Sequence, residues 1–323
     1  MKFLEKLKSR KLAKVLSAAA VGGMLLFGNG GDASASPEGM KAFEESYMSV
    51  RSDDRVFAQV VSIFGYTVFK ADLAADGQVM SNGSMRMRGN ANWSYTSPRT
   101  KQTLNFNIPF YITQQGRGDV VFYGQNDDGT WTRTMLPGFP AVIANVLKTN
   151  DPATLRENMK AVKDVNIFRD DADKRILQVT VSGKYIADLL AKYEAPFSDS
   201  PDIDRNLRKA FNEKDLLINW TIDKKVNKTY MAVIELTDVM RAYAQSFLKE
   251  SAAGVVKLDT AEIELLEAVG YYSEFQYALS YKDDKGSAGD GLTPPAAIAK
   301  APVDPDAFDE IEDDMIAVIT KSH

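Results

Sequence analysis

An alternation of apolar and polar residues over 103–113 constrains the fold of this chain most strongly. In "TLNFNIPFYIT" the even positions are all apolar and most odd positions are polar; the even set is Leu104, Phe106, Ile108, Phe110 and Ile112. Successive side chains of a strand point to opposite faces of its sheet, so the segment predicts a strand with one apolar face. That face meets either an ordinary packed core or a ligand that is itself apolar.

The same period of two recurs over residues 55–136 and predicts about six consecutive antiparallel strands. The segment "VFAQVVSIFG" is the first, and "TVFKADLAADG" is the second, ending in a turn at Gly77. The third is "QVMSNGSMRMRG", with Val79, Met85 and Met87 on one face. Residues 103–124 supply two more strands, broken near 116–118, and Asp128-Gly129 predicts a hairpin turn before "TWTRTML".

Helices and further hairpins follow. Apolar spacings of three and four predict helices over 36–53 and 139–147, around 186–193 and after Val239, and Asp151-Pro152 predicts a helix that reaches Val162. Hairpins are predicted at about 164–182 and 215–238, and a last strand at about 271–282. In the second hairpin the even positions form the apolar face: Leu216, Ile218, Trp220, Ile222, Tyr230, Ala232, Ile234 and Leu236.

These elements predict an α+β fold, a curved antiparallel β-sheet in the form of an incomplete barrel covered by several helices. A strongly curved sheet with few helices on its concave side can leave an apolar cavity. Methionine and aromatic side chains make adaptable or broad apolar surfaces there. The candidate lining residues are Met85, Met87, Leu104, Phe106, Ile108, Phe110, Ile112, Trp220, Ile234 and Tyr277. For each of them, simple core packing is the alternative.

The first 35 residues have the layout of a cleaved secretory signal peptide. Six basic residues precede the apolar run "VLSAAAVGGMLLFG", and Ala33-Ser34-Ala35 offers a cleavage site. Export to a periplasmic or extracellular space is therefore expected. Removing 1–35 takes the formal charge from −5 to −9, which disfavours nucleic acid as a partner. No later stretch is long and apolar enough to predict a transmembrane segment.

The residue types for most enzyme chemistry are missing. The chain has no cysteine, and its one histidine is the terminal His323. Thiol chemistry, serine–histidine triads and zinc sites therefore lack their residues, and no phosphate-binding glycine loop is present. Asp170, Asp171 and Asp173 lack the glycine and glutamate of a calcium loop, so a solvated turn is the simpler interpretation. We expect a non-enzyme without a metal or cofactor.

The C-terminal part differs in composition. Residues 283–323 begin with a stretch rich in Gly, Ala, Pro and Asp, interpreted as a linker, and end in an acidic tail. In that tail Phe308, Ile311 and Met315 would share a helix face and could contact an envelope protein partner or fold back on the sheet. The predicted organisation is a signal peptide at 1–35, one domain at 36–282 and the tail at 283–323.

The order of these elements resembles the periplasmic lipoprotein-carrier superfamily of LolA- and LolB-like half-barrel proteins. The similar segments are the helix leading into "RVFAQVVSIFG", the turn in "NDDGTWTRTM", the hairpin "NWTIDKKVNKTYMAVIELTDVM" and the closing "LTPPAAIAKAP". The resemblance implies a half-barrel whose hydrophobic cavity holds a lipid or the acyl chains of a lipoprotein for trafficking in the cell envelope, without enzyme chemistry. A structural or interaction protein of the envelope, with a filled core and a docking tail helix, is the alternative.

Overall fold

The computed structural model describes most of the chain after the predicted signal peptide. The described residues are 36–51, 55–64, 69–80, 84–96, 103–115, 119–126, 128–136, 159–192, 201–258, 274–281 and 291–304, with single positions between 263 and 271. No helix within these residues is long and apolar enough to cross a membrane. The predicted signal peptide, the predicted helix at 139–147 and the acidic tail from residue 305 lie outside them and stay predictions.

Eleven strands in the described residues form one sheet with the order β6-β5-β4-β3-β2-β1-β11-β10-β9-β8-β7. Every strand pair in it is antiparallel. The strands are β1 Arg55–Phe64, β2 Phe69–Met80, β3 Met85–Thr96, β4 Thr103–Gln114, β5 Val120–Gln125, β6 Trp131–Leu136, β7 Val162–Asp170, β8 Lys174–Val181, β9 Leu216–Asp223, β10 Lys228–Glu235 and β11 Phe275–Tyr281.

The sheet is curved and open, as the sequence predicts. Its edge strands β6 and β7 are not paired with each other in the described residues. Close approaches of neighbouring strands need glycine: a Cβ on Gly89 would collide with the carbonyl oxygen of Ala74, and one on Gly77 would lie 2.9 Å from Cγ of Met87. The predicted fold class, α+β with a curved antiparallel sheet in an incomplete barrel, is confirmed.

Helices cover part of one face of the sheet. In the described residues the longer helices are α1 Pro37–Arg51, α2 Gly183–Lys192, α3 Pro201–Glu213 and α4 Thr237–Ala252, and a single helical turn, α5, follows at Ala296–Ala299. Helix α1 packs against β7 and β10, while α2, α3 and α4 pack on one another in succession. The contact between α3 and α4 includes the buried Asn206, whose Oδ1 accepts a hydrogen bond from Ser246 and whose Nδ2 donates to Glu250 at 3.0 Å.

The predicted turn at Gly77 is wrong. Strand β2 continues through Gly77 to Met80, and Gly77 pairs with Met87 on β3 and with Ala58 on β1. The predicted third strand, from residue 78, is therefore also misplaced, because β3 begins at Met85. The glycine is explained by the close approach to Met87 rather than by a turn.

Three further sequence predictions differ from the structure. Tyr230 is exposed instead of facing the core, because a register shift between Thr229 and Met231 places Thr229 in the buried row. Val162 begins strand β7, where it pairs with Val181, and is not the end of a helix. Helix α3 was not predicted, since residues 196–214 contain a Pro/Ser/Asp-rich break and many charges.

Candidate functional site

All ten candidate lining residues occupy positions in one face of the sheet. Directly paired residues in antiparallel strands share a face, and the pairing carries this face from β4 through β3, β2 and β1 to β11, β10 and β9. The linking pairs are Ile112–Met87, Met87–Gly77, Gly77–Ala58, Ala58–Tyr281, Leu279–Ala232 and Ala232–Trp220. We call this face, which α1 covers on β7–β10, the inner face.

One group of large buried side chains on the inner face lies on β3, β4 and β5. Six large apolar side chains are buried there and form what we call the β3–β5 patch: Met85, Met87, Ile108, Phe110, Ile112 and Phe122. The rings of Phe110 and Phe122 stack with centroids 5.6 Å apart and planes 19° from parallel. Because Met87, Ile112 and Phe122 occupy one cross-strand row, the patch is continuous over three strands.

Small residues lie beside these large ones on the inner face. Ala91 pairs with Ile108, Gly89 with Phe110, and Ala75 pairs with Gly89 on the neighbouring strand. Ala75 and Ala91 are buried. Alternating large and small side chains give this apolar surface an uneven depth, and such a surface is a candidate position for a thin apolar group.

The β6 side of the patch is polar. Gln114, Thr132 and Thr134 are buried and occupy the same inner rows as Met85, Gly124 and Phe122 respectively. Thr132 Oγ1 lies 3.4 Å from Asn126 Oδ1, to which it donates a hydrogen bond. An apolar surface with a few polar groups at one end is the usual composition of a site that binds and orients a small amphipathic molecule.

Two of the candidate residues belong to a tightly packed aromatic cluster under α1. Trp220 is completely buried, its ring lies edge-on to Phe43 with centroids 4.9 Å apart, and its Nε1 donates to Ser46 Oγ at 2.9 Å. Tyr47 lies 6.1 Å from the same ring. Ile234 is likewise fully buried on this half of the sheet. Helix α1 therefore fills the inner face over β7–β10 with its own side chains.

Three candidates are placed by their backbone alone. Leu104 pairs with Tyr95, Phe106 with Trp93, and Tyr277 with Ile234, so all three occupy inner-face positions. Their side chains lie outside the described part of the structure. The sequence prediction missed Phe122, Ala91 and Ala75; the alternation of Val120, Phe122 and Gly124 is the signal that would have found the first.

The acidic loop residues form ion pairs with neighbouring cations. Asp170 contacts Arg175 at 2.7 Å and Lys224 at 2.9 Å, and Asp173 contacts Lys225 at 2.9 Å. Hydrogen bonds from Arg175 and then Lys224 lower the pKa of Asp170 to about 2. Among the described residues, no group of three or more histidine, cysteine or acidic side chains could hold a metal ion.

Comparisons with known proteins give a structural likeness but no family or curated relative. No family model and no curated protein matches the chain. A crystal structure of LprF from Mycobacterium bovis is similar over 81% of this chain and 99% of that chain, with 14% sequence identity and a TM-score of 0.41. At this level of similarity, function has to be inferred from the residues of the chain itself.

Proposed function

We propose that this chain is a non-catalytic binding protein that holds a lipid, an acyl chain or a similar apolar ligand on the inner face of β3–β5. The β3–β5 patch and the small residues beside it, Gly89, Ala91 and Ala75, carry the proposal. In the described residues, the main helix–sheet contacts are those of α1 and α4 with β7, β10 and β11. The β3–β5 patch lies beside that covered part of the sheet and is continuous with its buried residues, which include Phe43 and Trp220.

The side chains of the patch suit an alkyl chain. Met85 and Met87 are unbranched and polarisable, so they adapt to ligands of different shape, while the stacked Phe110 and Phe122 give a rigid wall. Burying a methylene group in such a site contributes about 0.8 kcal/mol, so an acyl chain needs no charged partner for binding. Thr132 would contact the polar end of the ligand, because its Oγ1 can accept a hydrogen bond while it donates one to Asn126.

The biological setting is proposed on the sequence. A cleaved signal peptide would deliver the mature chain to the periplasm or the outside, where an apolar ligand needs a carrier. The resemblance to the LolA- and LolB-like half-barrels agrees with lipid or lipoprotein trafficking in the cell envelope. Lipoprotein acyl chains are one form that the ligand could take.

A pair of substitutions separates a binding surface from a filled core. Ala91→Met adds volume within the β3–β5 patch, and Ala232→Met adds the same volume beside Trp220 under α1. If β3–β5 accepts a ligand, Ala91→Met should leave the melting temperature of the ligand-free protein nearly unchanged. It should also weaken the binding of a fluorescent fatty-acid analogue by about tenfold or more. The matched control Ala232→Met overpacks a filled core and costs about 1–3 kcal/mol of stability.

The opposite result would refute the proposal. If Ala91→Met destabilises the chain as much as Ala232→Met, and the wild type does not bind the analogue, β3–β5 is a packed core. The titration needs protein from which bound lipid has been extracted, because a resident ligand would compete with the probe.

The aromatic cluster around Trp220 favours a second candidate, an interaction protein of the envelope with a filled core. There the inner face only stabilises the fold, and the acidic tail with Phe308, Ile311 and Met315 would contact the partner. Deleting residues 305–323 would leave the melting temperature unchanged in this case. A lowered melting temperature would instead show that the tail folds back on the domain.

A further inference from the structure

The opposite face of the sheet carries a second binding feature, the segment 291–304. We call the face opposite the inner face the outer face. Arg88, Tyr111, Tyr123 and Arg133 pair in succession across β3–β6 and therefore share it, and Arg86 lies on it two positions from Arg88. Arg86 Nη1 donates to Thr293 Oγ1 at 3.2 Å, and Arg133 Nη1 donates to the carbonyl of Ala299 at 3.3 Å. The segment therefore crosses the outer face from β3 to β6.

At β6 the segment binds the edge of the sheet through backbone hydrogen bonds. The amide of Arg133 donates to the carbonyl of Pro302 at 3.0 Å, and the amide of Asp304 donates to the carbonyl of Arg133 at 3.0 Å. Thr134 Oγ1 donates to the carbonyl of Asp304 at 2.6 Å. Val303 forms an isolated parallel β-bridge with Arg133, whereas all strand pairs of the sheet are antiparallel. The segment is therefore an added peptide at the sheet edge and not a twelfth strand of the meander.

The segment contacts the outer face through buried residues on either side of a helical turn at Ala296–Ala299. Leu292, Pro294 and Ala301 are buried, while Thr293, Pro295 and Val303 between or beside them are exposed. Pro295 has φ −51° and ψ 153° and immediately precedes this turn. Recognition by a few buried anchors and backbone hydrogen bonds at a sheet edge is the mode of peptide-binding domains.

The outer face offers an aromatic surface flanked by arginines. The buried Tyr111 and Tyr123 lie between Arg88 and Arg133 in one cross-strand row, and the ring of Tyr111 lies 5.6 Å from that of Trp131. The guanidinium of Arg88 lies 5.7 Å from the centroid of Tyr111. Among the described residues none of Arg86, Arg88 and Arg133 forms an ion pair, which leaves their donors for hydroxyl and carbonyl acceptors of a peptide.

The chain connection is long enough for the segment to bind within one molecule. Residue 281 ends β11, which lies three strands from β3, a distance of about 15 Å at the usual strand spacing. The nine residues 282–290 can span about 30 Å when extended. A connection of this length can reach the outer face of β3 from the end of β11, so residues 291–304 can occupy the site within one molecule.

We propose that the outer face of β3–β6, together with the edge of β6, is a binding site for proline-containing peptide segments that form a central helical turn. Residues 291–304 of the same chain are its resident ligand. The site is independent of the apolar ligand proposed for the inner face. Its specificity comes from three contacts. Arg86 donates to a hydroxyl oxygen of the peptide, the positions of Pro294 and Ala301 are buried, and the backbone groups of Arg133 pair with the peptide backbone.

The test uses the complete folded chain with a protease recognition sequence inserted between Gly286 and Ser287. After cleavage, a fluorescent peptide of residues 289–306 is added and its anisotropy is measured, while circular dichroism follows the melting of the cleaved body. We expect the peptide to replace the resident segment and the body to remain folded. Thr293→Val in the peptide should weaken binding about tenfold, because a hydrogen bond from a charged donor is lost.

Two further peptides complete the design. Val303→Thr changes an exposed side chain of similar shape and should bind like the wild type, whereas Ala301→Asp places a charge at a buried anchor and should abolish binding. The proposal is overturned if the cleaved body takes up no peptide, if it unfolds when the resident segment is released, or if all four peptides bind equally. A body that unfolds would show that 291–304 is an integral part of the fold.

Discussion

Replacing Trp220 by phenylalanine tests whether α1 fills the inner face over β7–β10. The indole is completely buried, lies against Phe43 and donates to Ser46 Oγ at 2.9 Å. The loss of this hydrogen bond costs about 1 kcal/mol. A cavity of about 40 Å³, the part of the indole that phenylalanine does not fill, adds about 1 kcal/mol at about 24 cal/mol per Å³.

The expected effect of Trp220→Phe is therefore about 2 kcal/mol less stability, or a melting temperature about 4 °C lower in a domain of this size. Ser46→Ala removes the acceptor from the same bond and should cost about 1–3 kcal/mol. Because both substitutions remove the same hydrogen bond, the double variant should be about 1 kcal/mol more stable than the sum of the two single effects predicts.

Urea unfolding followed by circular dichroism measures all three variants, with Tyr230→Phe as the control at an exposed ring. The control should stay within about 0.5 kcal/mol of the wild type. Strict additivity of Trp220→Phe and Ser46→Ala, or a Trp220→Phe variant as stable as the wild type, would show that α1 does not cover this half of the sheet as described.

Two further predictions concern the sheet and its charged loops. Gly89→Ala should cost about 3 kcal/mol or more in urea unfolding, because its Cβ would meet the backbone of β2. Gly77→Ala should cost less, about 1–2 kcal/mol, because its Cβ would meet Cγ of Met87, a side chain that can shift; equal costs would contradict this explanation of the two glycines. Arg175→Gln should raise the pKa of Asp170 from about 2 towards its ordinary value of 3.8, measured by NMR titration of the carboxyl group. Since the folded-state pKa is lowered, the ion pairs stabilise the wild type above pH 3.8 and lose this effect as the pH falls towards about 2; an unchanged pKa in the variant would refute this assignment.

Much of the fold could be predicted from the sequence because the relevant signals are local. The apolar spacing of Met40, Phe43 and Tyr47 predicts α1, and the turn at Asp128-Gly129 is confirmed, with Gly129 at φ 82°. The alternation in β4 also holds, since Ile108, Phe110 and Ile112 are all buried.

The errors arise where tertiary contacts decide the structure. Gly77 has the sequence context of a turn, but the neighbouring Met87 is what requires a glycine there. Helix α3 has apolar residues at helical spacing, Leu207, Ala210 and Phe211, but they stand among many charges, and the buried Asn206 beside them is satisfied by side chains of α4. A bulge between Thr229 and Met231 reverses the face of Tyr230, and the sequence shows no signal for it.

The candidate site could be predicted only as a face. Alternation identifies which residues share the inner face, but it does not distinguish Trp220, which α1 covers, from Phe110, which belongs to the β3–β5 patch. The contacts of 291–304 were not predicted either. A segment of proline, alanine and glycine has no periodic pattern, and its binding depends on the aromatic and arginine side chains of the outer face.

Native mass spectrometry of the chain without residues 1–35, purified without detergent, measures ligand binding on the inner face of β3–β5. We expect a complex with an apolar molecule whose mass is lost after lipid extraction and restored by adding a fatty acid at one equivalent. The variant Ala91→Met should show less of this complex, and Ala232→Met should retain it in the folded fraction. A wild-type protein with no adduct before extraction and none after adding fatty acid would show that β3–β5 is a packed core.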